Sequence, residues 1–545
     1  MFGTSSLVTL VLLLSSATAL PSSRAKGPTL GPPRPSIPHL ENFSKDIPVL
    51  SRNGTQLPAY SHAYYFDQLI DHMDLTLGTF KQRYYHTYEF YEPGGPIILM
   101  TPGEEDASGY IGYLTNTTIN GHLAQELNGS TIVLEHRFFG DSNPYDNLSV
   151  QSFRVHTVQQ AIDDLVYFAQ NVQLPMPGGD QVAPGNAPWV LIGGSYAGAL
   201  TSYTLTSRPG VFTAGYASSA VVQAISDFWG YFEPIRQYMP ANCSADVEAV
   251  IAHVDFVIQS NDTAAITALK MTFGLQGLAH NDDFAAARIH KMVPMLTISL
   301  VQQNLFFSWQ SLQPDSGLNQ AFYQFCDALE VINSVSAPAS GWGLDYALQA
   351  WGAYWTSTYY KQICGDDDDE TCLGTYDSSS PFWTYTYTGN AERSWQWLLC
   401  TQFGFQFDGA PASQPTIASR IVTPAWGERQ CGYRFPGAFG YNATASPDAA
   451  GLNSAYKGWD TTAEHLIFAS GTRDPWREAT VAADGATNIG SDLQPHLLSD
   501  GFHCSDLLIQ EAAASPQTKS VQDIAVSYIT QWISEWKPSI NKQSA

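Results

Sequence analysis

Three residues of this chain have the types and the order needed for nucleophilic acyl transfer, in which a serine hydroxyl attacks a carbonyl carbon. Ser195 follows a short aliphatic run (190–192), and Asp474 and His503 each follow a later apolar run. A serine nucleophile needs a base to take its proton and an acid to hold that base in one tautomer. Serine, then aspartate, then histidine is an order in which such a triad occurs. Other histidines fit less well: His136 precedes the serine, His253 and His290 lie in helical patterns, and His465 and His496 lie within predicted strands.

The Gly-Gly-Ser-Tyr-Ala-Gly stretch at 193–198 predicts a tight turn between a strand and a helix, with Ser195 at its tip. Small residues are needed on both sides because strand and helix pass close together there. Ala197 stands where the common Gly-x-Ser-x-Gly pattern has its last glycine, and alanine is small enough to preserve the sterics. Such short patterns recur by chance, so the prediction depends on Asp474 and His503.

Alternating strands and helices are predicted to position these residues. Apolar runs predict buried strands, and apolar residues at helical spacing predict helices between and after them. This alternation indicates an α/β fold with a largely parallel sheet. Ser520 and Asp523 form a pattern that is typical of a helix N-terminus. The predicted strands are 79–85, 96–100, 131–134, 190–192, 211–219, 465–469 and 495–498, and the predicted helices are 158–169 and 521–536.

The loop 101–104 (Thr-Pro-Gly-Glu) follows one of these strands. In α/β-hydrolases a loop in this position supplies one backbone N–H to the oxyanion hole, and the residue after the nucleophile supplies the other. Gly103 and Tyr196 are the corresponding candidates. On local sequence, an ordinary turn at the end of a strand explains the loop equally well.

Composition changes along the chain indicate five segments. Residues 1–19 have the apolar core of a secretory signal peptide, and the Pro/Ser-rich residues 20–58 are predicted to be a propeptide or linker. Residues 59–221 and 431–545 carry the α/β pattern. Residues 222–430 are rich in aromatic residues and helical periodicity, which predicts a mostly helical insertion. Its acidic run at 366–370 is predicted to be a solvated loop, since adjacent acids lack the ligand alternation of a calcium site.

The charge balance excludes several partners. The chain has 25 basic and 50 acidic residues, a net charge of −25, and no basic patch, which argues against nucleic acid and anionic membranes. No run after the N-terminus has the length of a membrane span. The signal peptide predicts a secreted protein, with a vacuolar or lysosomal destination as the alternative. Eight Asn-x-Ser/Thr sites agree with secretion: Asn42, Asn53, Asn116, Asn128, Asn147, Asn242, Asn261 and Asn442.

Seven cysteines in a secreted chain predict three disulfides and one free thiol. Sequence alone leaves the connectivity open, although Cys364 and Cys372 flank a short loop. Six of the cysteines fall within or beside the helical insertion, while Cys504 lies apart, next to His503. We therefore predict the pairs Cys243–Cys326, Cys364–Cys372 and Cys400–Cys431, with Cys504 free.

Five stretches resemble a known family. They are Thr-Pro-Gly-Glu (101–104), Glu-His-Arg-Phe-Phe-Gly-Asp-Ser (135–142), the stretch 193–198, Asp-Pro-Trp (474–476) and Gly-Phe-His-Cys-Ser-Asp (501–506). The family comprises serine peptidases such as lysosomal Pro-X carboxypeptidase, dipeptidyl peptidase II and the fungal acid prolyl endopeptidases. The ending at 501–504 is most similar to the fungal members.

The resemblance implies an α/β-hydrolase fold, with a helical cap inserted between the nucleophile and acid segments, and peptide cleavage after proline. It implies that Ser195 is the nucleophile, Asp474 the orienting acid and His503 the base. It further implies that Trp476 and Glu104 contact the substrate, and that no cofactor or metal is needed. A flat Trp476 indole would pack on a proline ring, whereas without the resemblance Trp476 reads as a core aromatic.

Two positions depart from the family pattern. Leu508 stands where Pro-X carboxypeptidase-type relatives have a basic residue, and Gln402 stands where relatives commonly have glutamate. An acid-active enzyme of this type needs some neutral His503, so we expect burial to lower its pKa from the usual value of about 6.5.

The triad does not separate amide from ester hydrolysis, so an esterase or lipase of the same fold is an alternative. A catalytically silent binding protein is another, although it has no reason to keep all three triad residues. Endo- or exopeptidase action, the natural substrate, and a monomeric or homodimeric state stay open.

Overall fold

The computed structural model describes residues 34, 36–40, 48–287, 307–439 and 446–538. The predicted signal peptide lies outside them. Within this part of the chain the strands are β1 (Ala63–Leu69), β2 (Thr79–Thr87), β3 (Ile97–Met100), β4 (Ser130–Leu134), β5 (Trp189–Gly194), β6 (Ala214–Ser218), β7 (Ile225–Asp227), β8 (Val331–Ile332), β9 (Val335–Ser336), β10 (Gly404–Gln406), β11 (Leu466–Gly471) and β12 (His496–Ser499).

Eight of these strands form one sheet in the order β1-β2-β4-β3-β5-β6-β11-β12. The pairs β1–β2 and β2–β4 are antiparallel. The strands from β4 to β12 in this order all run parallel. The seven predicted strands all occur, with ends that differ by a few residues. The carboxyl ends of β5, β11 and β12 therefore lie at one edge of the sheet.

Helices cover both faces of the sheet. In the described residues they are α1 (Ile119–Leu127), α2 (Val158–Asn171), α3 (Ser195–Ser207), α4 (Phe232–Tyr238), α5 (Ala241–Gln259), α6 (Thr263–Thr272), α7 (Asn281–Ala287), α8 (Ala321–Glu330), α9 (Leu344–Tyr354), α10 (Tyr360–Cys364), α11 (Asp369–Leu373), α12 (Ala391–Leu398), α13 (Pro424–Arg434), α14 (Pro436–Phe439), α15 (Ala449–Tyr456), α16 (Glu511–Ala514) and α17 (Pro516–Glu535).

The continuous apolar strands reflect burial on both faces. Leu191 of β5 belongs to the core beneath α2 and α3. Its neighbours Val190 and Ile192 belong to the core beneath α1 and α17. Successive side chains of a strand point to opposite faces, so a parallel strand with both faces covered needs apolar residues throughout.

The last helix begins earlier than the sequence pattern indicated. Pro516 occupies its first turn, and the Ser515 side chain accepts a hydrogen bond from the N–H of Thr518. The expected N-terminus at Ser520 is wrong, because proline suits the first turn of a helix and Ser515 supplies the cap.

Residues 222–430, the predicted insertion, are mostly helical in the described part of the chain. Helices α4 to α14 lie in it and just beyond it, and β7 pairs with β10 to join its two ends. The next helix, α15, packs on the sheet side, where Tyr456 stacks on Tyr203 of α3 with ring centroids 4.5 Å apart. The acidic run is only partly a loop, since Asp368 caps α11 and Asp369 accepts a hydrogen bond from Tyr360.

The predicted disulfides are confirmed. Cys243 pairs with Cys326, Cys364 with Cys372, and Cys400 with Cys431. Cys504 is the free cysteine of the described residues, and it is buried. All three disulfides thus lie in the cap or at its edge.

Candidate active site

Ser195 lies between β5 and α3 with strained backbone geometry. Its φ angle is +59°, a left-handed conformation that non-glycine residues rarely adopt. A Cβ on Gly193 would lie 2.1 Å from the carbonyl oxygen of Ala197, and one on Gly198 would lie 2.8 Å from that of Ser218. The predicted turn therefore occurs, and it requires glycine at both positions because neighbouring backbone passes within contact distance.

Asp474 and His503 meet across the loops that follow β11 and β12. Nδ1 of His503 lies 2.8 Å from Oδ1 of Asp474, and both side chains are almost completely buried. The same oxygen accepts the backbone N–H of Trp476 at 2.9 Å. Because β11 and β12 are parallel neighbours, their carboxyl-terminal loops emerge side by side. The sheet therefore brings together two residues that are 29 positions apart.

The His503 loop also contacts the Ser195 turn. A Cβ on Gly194 would lie 3.0 Å from Sγ of Cys504, and the N–H of Cys504 donates to Oγ of Ser219 at 2.9 Å. Oγ of Ser195 and Nε2 of His503 are buried and lack a hydrogen-bond partner among the described residues. The serine and histidine segments are therefore adjacent, while the bond between the two side chains is not formed.

The pKa of His503 differs from the expectation. Burial lowers this pKa, but the charge and hydrogen bond of Asp474, together with the neighbouring Cys504, raise it, and the net pKa lies well above its usual value. The expected lowering is wrong because the carboxylate acts at hydrogen-bond distance and favours the imidazolium more than burial disfavours it. The neutral form of His503 therefore predominates only at a higher pH than for an ordinary histidine.

Both predicted oxyanion residues lie beside the turn. Gly103 has φ +72°, and a Cβ there would lie 3.3 Å from Cδ1 of Tyr196. The N–H of Gly103 donates to Oγ1 of Thr101 at 3.2 Å. Tyr196 is the second residue of α3, where helical N–H groups have no intrahelical partner. The Tyr196 hydroxyl lies 3.0 Å from Nε2 of His136.

Trp476 is fully buried in an aromatic cluster beside the Asp474 loop. Its indole N–H donates to Oε1 of Gln310 at 2.8 Å. The sequence pattern did not indicate Gln310, which lies 166 residues from Trp476 in the chain. The rings of four residues lie within 6 Å of the indole: Phe228, Tyr231, Phe405 and Phe407.

Glu104, the other predicted substrate contact, is 1% exposed. Its Oε1 has no hydrogen-bond partner among the described residues. Burial and the neighbouring Glu105 raise the pKa of Glu104 well above its usual value, while Arg34 and His503 lower it. The carboxyl group thus lies within electrostatic reach of both Arg34 and His503.

The two departures from the family pattern have structural roles. Leu508 is buried in the core beneath α1 and α17, where its carbonyl accepts a hydrogen bond from Gln522. Oε1 of Gln402 accepts the N–H of Val158 at the start of α2. A carboxylate could accept this bond as well, so the contact does not require glutamine.

No group of three or more His, Cys, Asp or Glu side chains in the described ranges is arranged to hold a metal ion. Among the helices of the same ranges, none combines the length and apolar character needed to cross a membrane.

The parallel sheet, the serine turn and the inserted helices define an α/β-hydrolase with a helical cap. A family model described as serine carboxypeptidase S28 matches residues 68–525, and the chain belongs to this family. It is therefore a serine peptidase, and the resemblance seen in the motifs is confirmed at the level of the family.

Named relatives cover most of the chain. Serine protease vicPa of Bipolaris victoriae is 34% identical over 505 residues, which cover 89% of this chain and 91% of that protein. The "Probable extracellular serine carboxypeptidase" of Arthroderma benhamiae is 30% identical and covers 84% of this chain and 65% of its own length. Lysosomal Pro-X carboxypeptidase of Homo sapiens is 23% identical, and the match covers 91% of this chain and 93% of that protein.

Proposed function

We propose that this chain is a secreted serine peptidase that hydrolyses peptide bonds on the C-terminal side of proline. In this proposal Ser195 is the nucleophile, His503 the base and Asp474 the acid that orients the base. The observation that carries it is the buried 2.8 Å contact between His503 Nδ1 and Asp474 Oδ1, at the sheet edge where Ser195 follows β5 and begins α3.

This contact sets the tautomer of His503. The Nδ1–H group donates a hydrogen bond to Asp474 and keeps its proton, which leaves Nε2 free to accept the Ser195 proton. Ser195 Oγ then attacks the carbonyl carbon, and the imidazolium gives the proton to the leaving amine. Water hydrolyses the acyl-enzyme by the same route. Catalytic hydrogen bonds are often long in substrate-free enzymes and tighten in the complex, which agrees with the unpartnered Ser195 Oγ.

The oxyanion is proposed to be bound by the backbone N–H groups of Tyr196 and Gly103. The close packing of Gly103 against Tyr196 supports this pairing. The Gly103 N–H now donates to Thr101 Oγ1, so it must be shared with the oxyanion or released to it. The remaining donor, Tyr196, lies at the positive end of α3, which favours negative charge.

The aromatic cluster around Trp476 supports a preference for substrates with proline immediately before the cleaved bond. Proline is compact and lacks an N–H, so its pocket needs apolar walls and no acceptor for that nitrogen. Trp476 and Phe405 meet edge to face beside the Asp474 loop, with centroids 5.1 Å apart. The name of one relative, lysosomal Pro-X carboxypeptidase, agrees with this specificity.

Three disulfides and the names of two relatives, one extracellular and one lysosomal, support secretion or a lysosome-like compartment. The raised pKa of His503 does not support the acid-active enzyme expected from the family resemblance, because a raised pKa keeps the base protonated in acid.

A peptide library with blocked and free termini tests this function. We expect cleavage after proline, and the requirement for a free carboxyl end distinguishes carboxypeptidase from endopeptidase action. Labelling by a fluorophosphonate should map to Ser195 and disappear in Ser195→Ala. Cleavage without a preference for proline, or labelling elsewhere, contradicts the proposal.

A further inference from the structure

The chain's own N-terminal segment packs against the candidate active site. This segment, residues 34 and 36–40, belongs to the predicted propeptide or linker. Ile37 is 2% exposed, and its Cγ2 would lie 2.5 Å from a Cβ on Gly194, the residue before Ser195. The carbonyl of Pro38 accepts the hydroxyl of Tyr113 at 2.8 Å. The segment therefore has a defined seat beside the serine turn.

Arg34 is the cation of this segment, and it contacts two parts of the site. Nη1 donates to the carbonyl oxygen of Glu104 at 3.3 Å and lies 3.2 Å from Oε2 of Glu105. The carbonyl of Arg34 accepts the side-chain N–H of Gln310 at 3.1 Å. Gln310 in turn holds the indole of Trp476. Arg34 thus joins the acid pair to the residue that supports the proposed proline pocket.

The acid pair has the properties of a cation-binding site. Glu104 is 1% exposed and Glu105 is 8% exposed, so two adjacent carboxyl groups are removed from water. Oε1 of Glu104 is buried without a hydrogen-bond partner in the described residues, while Glu105 also accepts the hydroxyl of Ser36. Buried carboxylates are stable only when they are paired or protonated, and Arg34 pairs with the Glu105 carboxylate while it bonds to the backbone carbonyl of Glu104.

Glu104 and Glu105 also lie close to the candidate catalytic residues. Glu104 and Glu105 follow Gly103, which packs on Tyr196, and Glu104 lies within electrostatic reach of His503. A peptide bound across Ser195 would therefore pass the Glu105 carboxyl group that Arg34 now contacts and the Glu104 carboxyl group beside it.

We propose that Glu104 and Glu105 form a cation subsite of the substrate cleft, which binds a guanidinium or ammonium group of the peptide, and that Arg34 occupies this subsite in the full-length chain. The proposal rests on the function proposed above. The bound group has two sources, a basic side chain of the substrate or its free α-amino group. In both cases the substrate has to displace Arg34.

Arg34→Met tests the proposal, because methionine keeps most of the side-chain bulk and removes the charge. The substrates are three matched fluorogenic peptides with proline before the cut: a blocked peptide with arginine beside the proline, a blocked peptide with norleucine there, and the norleucine peptide with a free amino group. We expect Arg34→Met to raise kcat/KM for one cationic peptide by about tenfold or more, relative to blocked norleucine. The peptide that gains identifies the source of the cation.

Glu105→Gln in the Arg34→Met background should remove this gain. Arg52→Met is the matched control, since Arg52 belongs to the same predicted propeptide or linker (20–58) but bonds to the carbonyls of Phe90 and Gln125. It should change the three rates equally or not at all. Equal effects of Arg34→Met on all three peptides, or a gain that persists in the double variant, overturn the subsite.

A binding measurement separates failure of the subsite from failure of the proposed function. Benzamidine carries the cation without a cleavable bond, so it should raise the Tm of Arg34→Met and have less effect on Arg34→Met/Glu105→Gln. If no variant hydrolyses peptides but benzamidine discriminates between these two, the proposed function fails and the subsite stands. If hydrolysis occurs and benzamidine does not discriminate, the subsite fails alone.

Discussion

The indole N–H of Trp476 donates to the side-chain oxygen of Gln310 at 2.8 Å. This hydrogen bond joins the loop that carries Asp474 to the cap, from which Gln310 projects. The hydroxyl of Tyr231 donates to the same oxygen at 3.3 Å, so the Gln310 side chain accepts hydrogen bonds from two aromatic residues. The position of the proposed proline pocket therefore depends on how the cap sits on the sheet.

Ser195→Ala should abolish peptide hydrolysis and preserve the fold. We expect kcat to fall by roughly 10³-fold or more, since removal of a triad nucleophile has an effect of this size. The measurement is turnover on a proline peptide together with the thermal unfolding curve. Ser202→Ala is the control, because Ser202 is a buried serine of the same helix that contacts Oγ1 of Thr461. A Ser195→Ala enzyme with a large share of the original turnover would refute the nucleophile.

The pH profile of kcat/KM should report His503. His503 loses its neutral, basic form as pH falls. Because Asp474 raises the pKa of His503, the fall in kcat/KM on the acidic side of the profile should have its midpoint above pH of about 6.5. Asp474→Asn removes the charge that favours the imidazolium. It should move this midpoint to lower pH and reduce kcat by about 10³- to 10⁴-fold. Full wild-type activity at roughly pH 4–5 would show that the base titrates below its usual value.

Trp476→Ala should cost more for proline substrates than for alanine substrates. Loss of an apolar wall reduces discrimination by about 1–3 kcal/mol, which corresponds to roughly 5- to 100-fold in kcat/KM. Since a buried indole is removed, stability should also fall by about 3–5 kcal/mol, and rates are compared well below the Tm.

Trp351 provides a matched control for this change. It is a buried cap tryptophan whose ring lies near Phe273 and Phe325, away from the Asp474 loop. Trp351→Ala should destabilise the protein and leave the ratio of proline to alanine rates unchanged. If Trp476→Ala lowers both rates equally, Trp476 supports the fold and does not contact the substrate.

Asp408→Asn should stabilise the protein at neutral pH and have little effect in acid. Burial, together with the hydrogen bond and charge of Asp227, raises the pKa of Asp408 from 3.8 to about 9. Between these values the folded protein keeps a proton that the unfolded chain loses, so the free energy of unfolding decreases as pH rises. Below about pH 4 both states are protonated and the effect vanishes.

Asparagine has no such proton, so the variant should have a higher Tm than the wild type at pH of about 7.5, and an equal Tm at about pH 4. Asp523→Asn is the control, because Asp523 is exposed on α17 and pairs only with Lys519 in the described contacts. If Asp408→Asn and the wild type have the same Tm at both pH values, the prediction is contradicted.

The sequence by itself determined the main strands and the order along the chain of the candidate serine, aspartate and histidine segments. Apolar runs of four to six residues are buried strands because a covered parallel sheet needs apolar residues on both faces. The glycines around Ser195 were sufficient to predict the turn, since backbone contacts exclude a Cβ there. The serine, aspartate and histidine segments could be proposed as candidates because each follows a strand, and parallel strands end at one edge.

Only the tertiary structure decided the contacts between distant segments. Gln310 reaches Trp476, and Arg34 reaches Glu105, across 166 and 71 positions of the chain, and no local pattern encodes such pairs. The direction of the His503 pKa also depended on distance, because burial and a carboxylate at 2.8 Å act in opposite senses. Local sterics and periodic burial can be read along a chain, whereas the balance between desolvation and charge exists only once packing has set the separations.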